Sequence, residues 1–275
     1  MRLVGLILLF LLPHSIFGQS DTVILLTPEK AIMLAARNNP TIRHDDQKKA
    51  LKRDVRSAYF FWLYQISKMK VINEQLSLYY DVDRVATLRY LAGDIELQEK
   101  NTAVYRLAEL RLSESMLADE IEITKNRLSQ LLYLDNELMP ADTSVYMVQI
   151  IKTAALPTDT ITTPDRTRKH GKCKRAEQEA DAARKTYLAF VRDKTIENLM
   201  LELNSLFKKL QFYHVTGLAL ADQIIETSAV KYKKEDIDYP EYMESINNAF
   251  SIREGYLETL DQYNQTAIQL EFYAY

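Results

Sequence analysis

The side chains able to do chemistry in this chain are few and poorly spaced for it. Four histidines, His14, His44, His170 and His214, are scattered, and none has a partner at metal-ligand spacing. His170 and Cys173 stand three apart, but no second pair completes a tetrahedral set, so both read as non-ligands. Cys173 is the single cysteine, which rules out an intramolecular disulfide. The sequence holds no nucleophile elbow, phosphate loop or paired-carboxylate motif. These residues predict no enzyme and call for no metal and no cofactor. The basic run RTRKHGKCKR, residues 166–175, reads as a solvated or headgroup-facing loop. With a net charge of −3 the chain has no general attraction to nucleic acid.

With so little chemistry on offer, the elements themselves carry the information. The chain has 275 residues and 47% apolar content, enough for a substantial core in one large or two small domains. Gly 6 and Pro 7 are low counts for this length and predict few turns and long elements. Arg2, the apolar run Leu3–Leu12, Pro13 and a small-residue exit near Gly18 predict a secretory signal peptide over 1–19. Ten apolar residues are too few for a permanent membrane anchor, and no later apolar run reaches that length class.

LTPEKAIMLAARNNP predicts a short helix, with Thr27 as N-cap, Pro28 in the first turn and a stop at Asn38, Asn39 and Pro40. From Asp45 a longer pattern begins. Val55, Tyr59, Trp62, Ile66 and Met69 alternate by four and three, and Ile72, Leu76 and Tyr79 continue the stripe. Such a helix, from 45 to 91, is about 70 Å long. The aromatic group Tyr59, Phe60, Phe61, Trp62 and Tyr64 within it reads as packing rather than a ligand box. Leu107, Leu110, Leu117, Ile121, Leu128 and Leu131 form a second stripe ending at Asp135. Between the two stripes lies RYLAGDIEL, where Gly93 is free to take the left-handed backbone and Asp94 to cap the next helix. Residues 136–172 are rich in proline and threonine and read as a linker in which VYMVQII makes one strand.

A second helical half follows over 173–275. Leu199, Leu203, Leu206, Leu210 and Tyr213 set a stripe that runs on through Ile224 and Ile225 to Tyr232. It reaches KYKKEDIDY, a near copy of the first bend, in which Lys231, Tyr232, Glu235, Asp236 and Ile237 match Arg89, Tyr90, Gly93, Asp94 and Ile95. Asp238 caps the closing helix and Pro240 sits in its first turn. The expected fold is all-α: long antiparallel helical hairpins written twice, 20–135 and 173–275, with little or no β-strand. Glu235 in the glycine position implies a second bend differing in shape from the first.

The phrases LTPEKAIMLAARNNP, VRSAYFFWLY followed by LRYLAGDIEL, NRLSQLLYLD, and SINNAFSIREGYLETLDQYNQTAIQLEF resemble, in that order, the TolC family of outer-membrane efflux proteins. The likeness is to the branch paired with heavy-metal exporters of the resistance-nodulation-division (RND) class. It implies that each protomer supplies two helical hairpins to a homotrimeric α-barrel crossing the periplasm, with strands building a β-barrel in the outer membrane. It also implies a passive conduit that works with a periplasmic adaptor (membrane fusion) protein and an inner-membrane RND pump. The cargo would be metal cations or small toxic solutes. Tyr90, Gly93, Asp94, Ile95, Tyr232, Asp236 and Ile237 would then meet the adaptor, or the tyrosines and isoleucines would simply staple the bends. Glu241 and Glu244 match the acidic rings of the pore gate, six carboxylates in a trimer; otherwise they are ordinary acids in a helix's first turn. One departure is large: a bilayer strand needs about 9–11 residues, and this chain offers at most one candidate. The alternative is therefore a shortened periplasmic coiled-coil protein, structural or adaptor-like, without transport.

Overall fold

The computed structural model describes residues 23–149, apart from 41 and 43, and 172–274, with only the backbone described over 172–177. In chain order the elements are β1 (Ile24–Leu26), α1 (Pro28–Asn38), α2 (Asp45–Ala92), α3 (Leu97–Leu132), β2 (Leu138–Pro140), α4 (Lys172–Phe212), a π-helical turn (Tyr213–Gly217), α5 (Leu218–Lys233) and α6 (Tyr239–Ala274). The fold is all-α, built from long antiparallel helical hairpins. The signal segment, His14, His170 and the side chain of Cys173 lie outside the described residues.

Capping explains the short helix. The Thr27 hydroxyl accepts from the Lys30 N–H at 3.2 Å, Pro28 opens α1, and Asn39 ends it. His44 proves to be the N-cap of α2, and its N–H donates to Gln47 Oε1 at 3.2 Å. Of the predicted α2 stripe, Val55, Tyr59, Trp62, Ile72, Leu76 and Tyr79 are buried. Tyr59, Phe60 and Trp62 are core, with edge-to-face contacts from Tyr59 to each of the other two. Packing between neighbouring helices thus accounts for the aromatic group.

α2 stands at the centre, paired with α3 on one side and α6 on another, while α5 and α4 pack on α6. α2 and α6 run antiparallel and are tied by polar pairs along their length. Arg56 meets Glu271, Ser57 meets Gln265, Glu74 meets Arg253 at 2.7 Å, and Tyr79 donates to Asn247. Two large apolar cores are stacked along the rods, with a small third cluster of Ile196, Leu199 and Leu270 where α4 meets the end of α6. The upper one gathers Leu26, Val55, Tyr59, Leu63, Leu128, Leu132 and Ala267. The lower one gathers Ile72, Tyr79, Val82, Leu107, Ile246 and Phe250. Above them α4 runs on alone, and every side chain from 178 to 194 is exposed.

Two expectations need correction. The VYMVQII run is no strand over its described part, 145–149; it is irregular chain held by side chains. Its Val145 N–H donates to Ser67 Oγ at 2.8 Å, its Val148 N–H to Asn264 Oδ1 at 2.8 Å, and Asn264 Nδ2 returns a bond to the Tyr146 carbonyl. The strands lie elsewhere, with β1 and β2 pairing in parallel, Ile24 opposite Leu138 and Leu26 opposite Pro140. The second correction is the π turn, which interrupts a stripe the spacing reads as continuous. No described helix is long and apolar enough to cross a membrane.

Candidate functional site at the paired bends

Each bend is a six-residue backbone motif that satisfies the last carbonyls of a helix. In the first, the Asp94 N–H donates to the Arg89 carbonyl at 2.9 Å and the Gly93 N–H to the Tyr90 carbonyl at 3.0 Å, with Gly93 at φ 83°. In the second, the Asp236 N–H donates to the Lys231 carbonyl at 2.9 Å and the Glu235 N–H to the Tyr232 carbonyl at 3.2 Å, with Glu235 at φ 61°. The expected difference in shape is therefore not found. The glutamate takes the left-handed conformation, at an intrinsic cost of about 1–2 kcal/mol, because the same two bonds require it.

Their exits differ. Asp238 caps α6, accepting from the Glu241 N–H at 2.9 Å, as its position predicts. Asp94 does not cap α3: Glu96 is the N-cap, without a side-chain bond, and Asp94 lies two residues upstream of it. The helix starts later than the aspartate can reach.

The bends lie side by side at one end of the molecule. Arg89 reaches across from the first hairpin, 3.9 Å from the Glu235 carboxylate and with its guanidinium carbon 5.7 Å from the Tyr232 ring centroid. A hydrogen bond to Tyr232, reinforced by Glu235 and Asp94, pushes the Arg89 pKa up from its usual value. Tyr232 in turn stacks on Tyr242, centroids 4.6 Å apart and planes within 3°. A groove of about 460 Å³ runs between α2 and α5 here, lined by Val82, Arg89, Asp94, Tyr232, Glu235 and Tyr242.

Of the expected contact residues, Gly93, Asp94 and Asp236 are exposed. Tyr90, Ile95, Tyr232 and Ile237 are only half-buried, not the free apolar tips expected. Ile95, Tyr232 and Ile237 pack on the lower core, and Tyr90 lies under Lys100 with Nζ 5.1 Å from its ring centroid. They staple the bends. The apolar surface that spacing alone missed is Leu88, Leu91 and Leu97, 56%, 75% and 51% exposed around the first bend. The available signal was that leucines 88 and 91 fall off the inward stripe, which uses Val82 and Ala86.

Glu241 and Glu244 are both exposed near the start of α6. Glu241 borders a separate groove between α5 and α6, lined also by Ile224, Ser228 and Lys231, and Glu244 borders a groove toward α3 that also holds Glu96, Glu99 and Arg106. Further along α6 lies an acidic strip that the sequence reading passed over. Glu254, Glu258 and Asp261 surround Tyr64 of α2, with Glu120 of α3 nearby. Burial, and then these carboxylates, push the Tyr64 hydroxyl up to about 12. Burial also lifts Glu254 and Asp261 above the usual carboxylate range, against the opposing pull of Lys68 on the first and of the Gln265 hydrogen bond on the second. Among the described residues no three His, Cys, Asp or Glu side chains gather into a metal-ligand set.

No family model and no curated protein matches the sequence. Solved structures do match its fold. The outer-membrane channel OprN shares 14% identity at a TM-score of 0.63, over 90% of this chain and 70% of that one. CusC, described for transmembrane channel formation, shares 13% at 0.62, over 90% and 74%. The outer membrane protein VceC from Vibrio cholerae shares 10% at 0.59, over 90% and 73%. The chain thus has the helical-hairpin fold of outer-membrane channels.

Proposed function

We infer that this chain is a TolC-family protomer of the heavy-metal RND branch, one wall segment of a passive efflux conduit between periplasm and outer membrane. Three copies close the tube, the adaptor protein docks on the paired bends, and the inner-membrane RND pump loads it. The observation that carries this reading is the meeting of both bends at one end, held by Arg89, Tyr232 and Glu235, in a chain of which 90% follows the fold of outer-membrane channels. The long arm of α4 with Tyr187, Leu188 and Phe190 exposed supports association between copies, which would cover it. The role is conduction rather than catalysis. The acidic strip of α6, with Glu241 and Glu244 as gate acids, favours cations as cargo over neutral solutes.

A second reading has its own support. Only residues 39–44 separate α1 from α2, fewer than one bilayer strand of about 9–11 residues, and the strands among the described residues are three residues long. A shortened periplasmic coiled-coil protein, structural or adaptor-like, would look like this. Fractionation of the producing cell separates the two. Heat-resistant trimers in the outer-membrane extract support the conduit, and a freely soluble monomer or dimer removes it.

A further inference from the structure

At the end of the rods away from the bends, α2 turns a basic face to α6. Lys49, Lys52, Arg53 and Arg56 stand at i, i+3, i+4 and i+7, the spacing that ordinarily sets an apolar face against a neighbouring helix. Lys49 is thus next to Lys52 and Arg53, and Arg56 next to both, and each such like-charged pair weakens a helix. Few carboxylates answer them. Glu271 of α6 takes Arg56, with the two side chains only 15% and 16% exposed. Asp54 takes Arg53 at 2.8 Å, and the Arg53 guanidinium carbon also lies 4.4 Å from the Phe272 ring centroid. Asp45 is engaged with Lys48 at 3.1 Å, off this face. Lys52 is exposed and makes no ion pair among the described residues.

Between this face and the last turns of α6 lies a pocket of about 110 Å³. The four cations line it against a single carboxylate, Glu271, while Ile268 and Phe272 supply an apolar wall. Its volume is below the about 150 Å³ that admits a benzene molecule, so it suits a group of a few heavy atoms. The charge asks for an anion. Guanidinium forks and ammonium points splayed around one small space match the tetrahedral oxygens of a phosphate, which accept from several directions at once.

We propose that this pocket binds a phosphate group, with Lys49, Lys52 and Arg53 donating to its oxygens while Arg56 stays with Glu271. Binding relieves the repulsion along the basic face and gives Lys52 the counter-ion it lacks. The apolar wall favours a phosphate that carries a carbon substituent over the bare ion. In the conduit reading this end, opposite the bends, faces the outer membrane, where lipid headgroups supply such phosphates. The pocket itself does not rest on that reading, because free phosphate offers the same oxygens.

The test uses the full chain and two probes at constant ionic strength. The first is vesicles of phosphatidylcholine, which set the baseline, against vesicles with about 20% phosphatidylglycerol, read by co-sedimentation. The second is inorganic phosphate without lipid, read as a rise in Tm. Lys52 is exposed, so its variants keep the fold. Lys52→Gln should weaken the phosphatidylglycerol-dependent binding about fivefold, and Lys52→Arg should restore it. Lys48→Gln removes the same charge off the face and should leave binding within about twofold of the parent. That pattern, with inorganic phosphate silent, assigns a lipid headgroup. A Tm rise with phosphate that Lys52→Gln abolishes and Lys48→Gln keeps, while vesicle binding ignores Lys52→Gln, supports the pocket with free phosphate as its occupant. Dependence of both probes on Lys52 supports it with either source. Equal losses in Lys48→Gln and Lys52→Gln, which mean diffuse attraction of charge, or no response of either probe to Lys52→Gln, overturn the proposal.

Discussion

The two bends share one backbone and show different surfaces to their surroundings. The first turns on Gly93 and is ringed by exposed Leu88, Leu91 and Leu97. The second turns on Glu235, and exposed Lys231, Lys233 and Lys234 stand around it. Where the first presents Leu91, the matching position of the second is Lys233; where the first exposes Leu97, the second buries Tyr239. Backbone hydrogen bonds therefore set the direction in which each hairpin turns back, and side chains set what each tip can bind. The apolar tip suits a partner's apolar surface and the lysine tip an acidic one.

Several changes would break or sharpen that contrast. The largest effect is expected from Gly93→Val, which forces a β-branched residue into the left-handed region. It should cost about 2 kcal/mol in denaturant unfolding and weaken assembly on size exclusion. Full stability and assembly would mean that the turn does not rest on this glycine. Next comes Leu91→Lys, which gives the first tip the character of the second. Stability should stay within about 0.5 kcal/mol, because the side chain is exposed. On the proposed docking of an adaptor at the bends, its capture should fall about tenfold, as read by surface-immobilised binding. Glu235→Gly works in the other direction. It relieves the left-handed glutamate and gives up an exposed ion pair of little worth, for a net gain of about 0.5–1 kcal/mol.

The smallest effect lies away from both tips, in the acidic strip of α6. Burial raises the Asp261 carboxyl, so the folded chain keeps this proton at pH values where the unfolded chain has released it. Stability is then greatest below the unfolded pKa and declines as pH rises through the window up to the folded one. Asp261→Asn keeps the acceptor for Gln265 and removes this dependence. Its Tm near pH 7.5 should rise by about 2 °C, with a smaller gain near pH 4.

How much of this was legible in the sequence depended on the kind of signal. Long stripes and local caps carry their own physics. Thr27, Gly93 and Asp238 were therefore placed correctly from residue type and spacing, as were the spans of α1 and α2. The β1–β2 pair was hidden because three residues are too few to show a period of two, and their partner is more than a hundred positions away. The π turn was hidden for a sharper reason. The inward face runs on across it, with buried Leu210 and Ala221 eleven residues or about three turns apart, so spacing carries no mark of the wider turn over Tyr213–Gly217. At the bends, residue type alone did not give the degree of exposure: Tyr90, Ile95, Tyr232 and Ile237 are half-buried, the last three of them against the lower core. The leucines that do face outward sat in the same phrase.

The central claim is that two antiparallel hairpins stand side by side with both bends at one end. Nitroxide labels on Asp94→Cys and Asp236→Cys, with Cys173→Ser, read by pulsed electron resonance, test it directly. With the labelled chain diluted into unlabelled chain so that only the intramolecular pair is read, a distance below about 30 Å is predicted, since the bends touch through Arg89 and Glu235. A distance near about 70 Å, the length of α2, would place the bends at opposite ends and contradict the account.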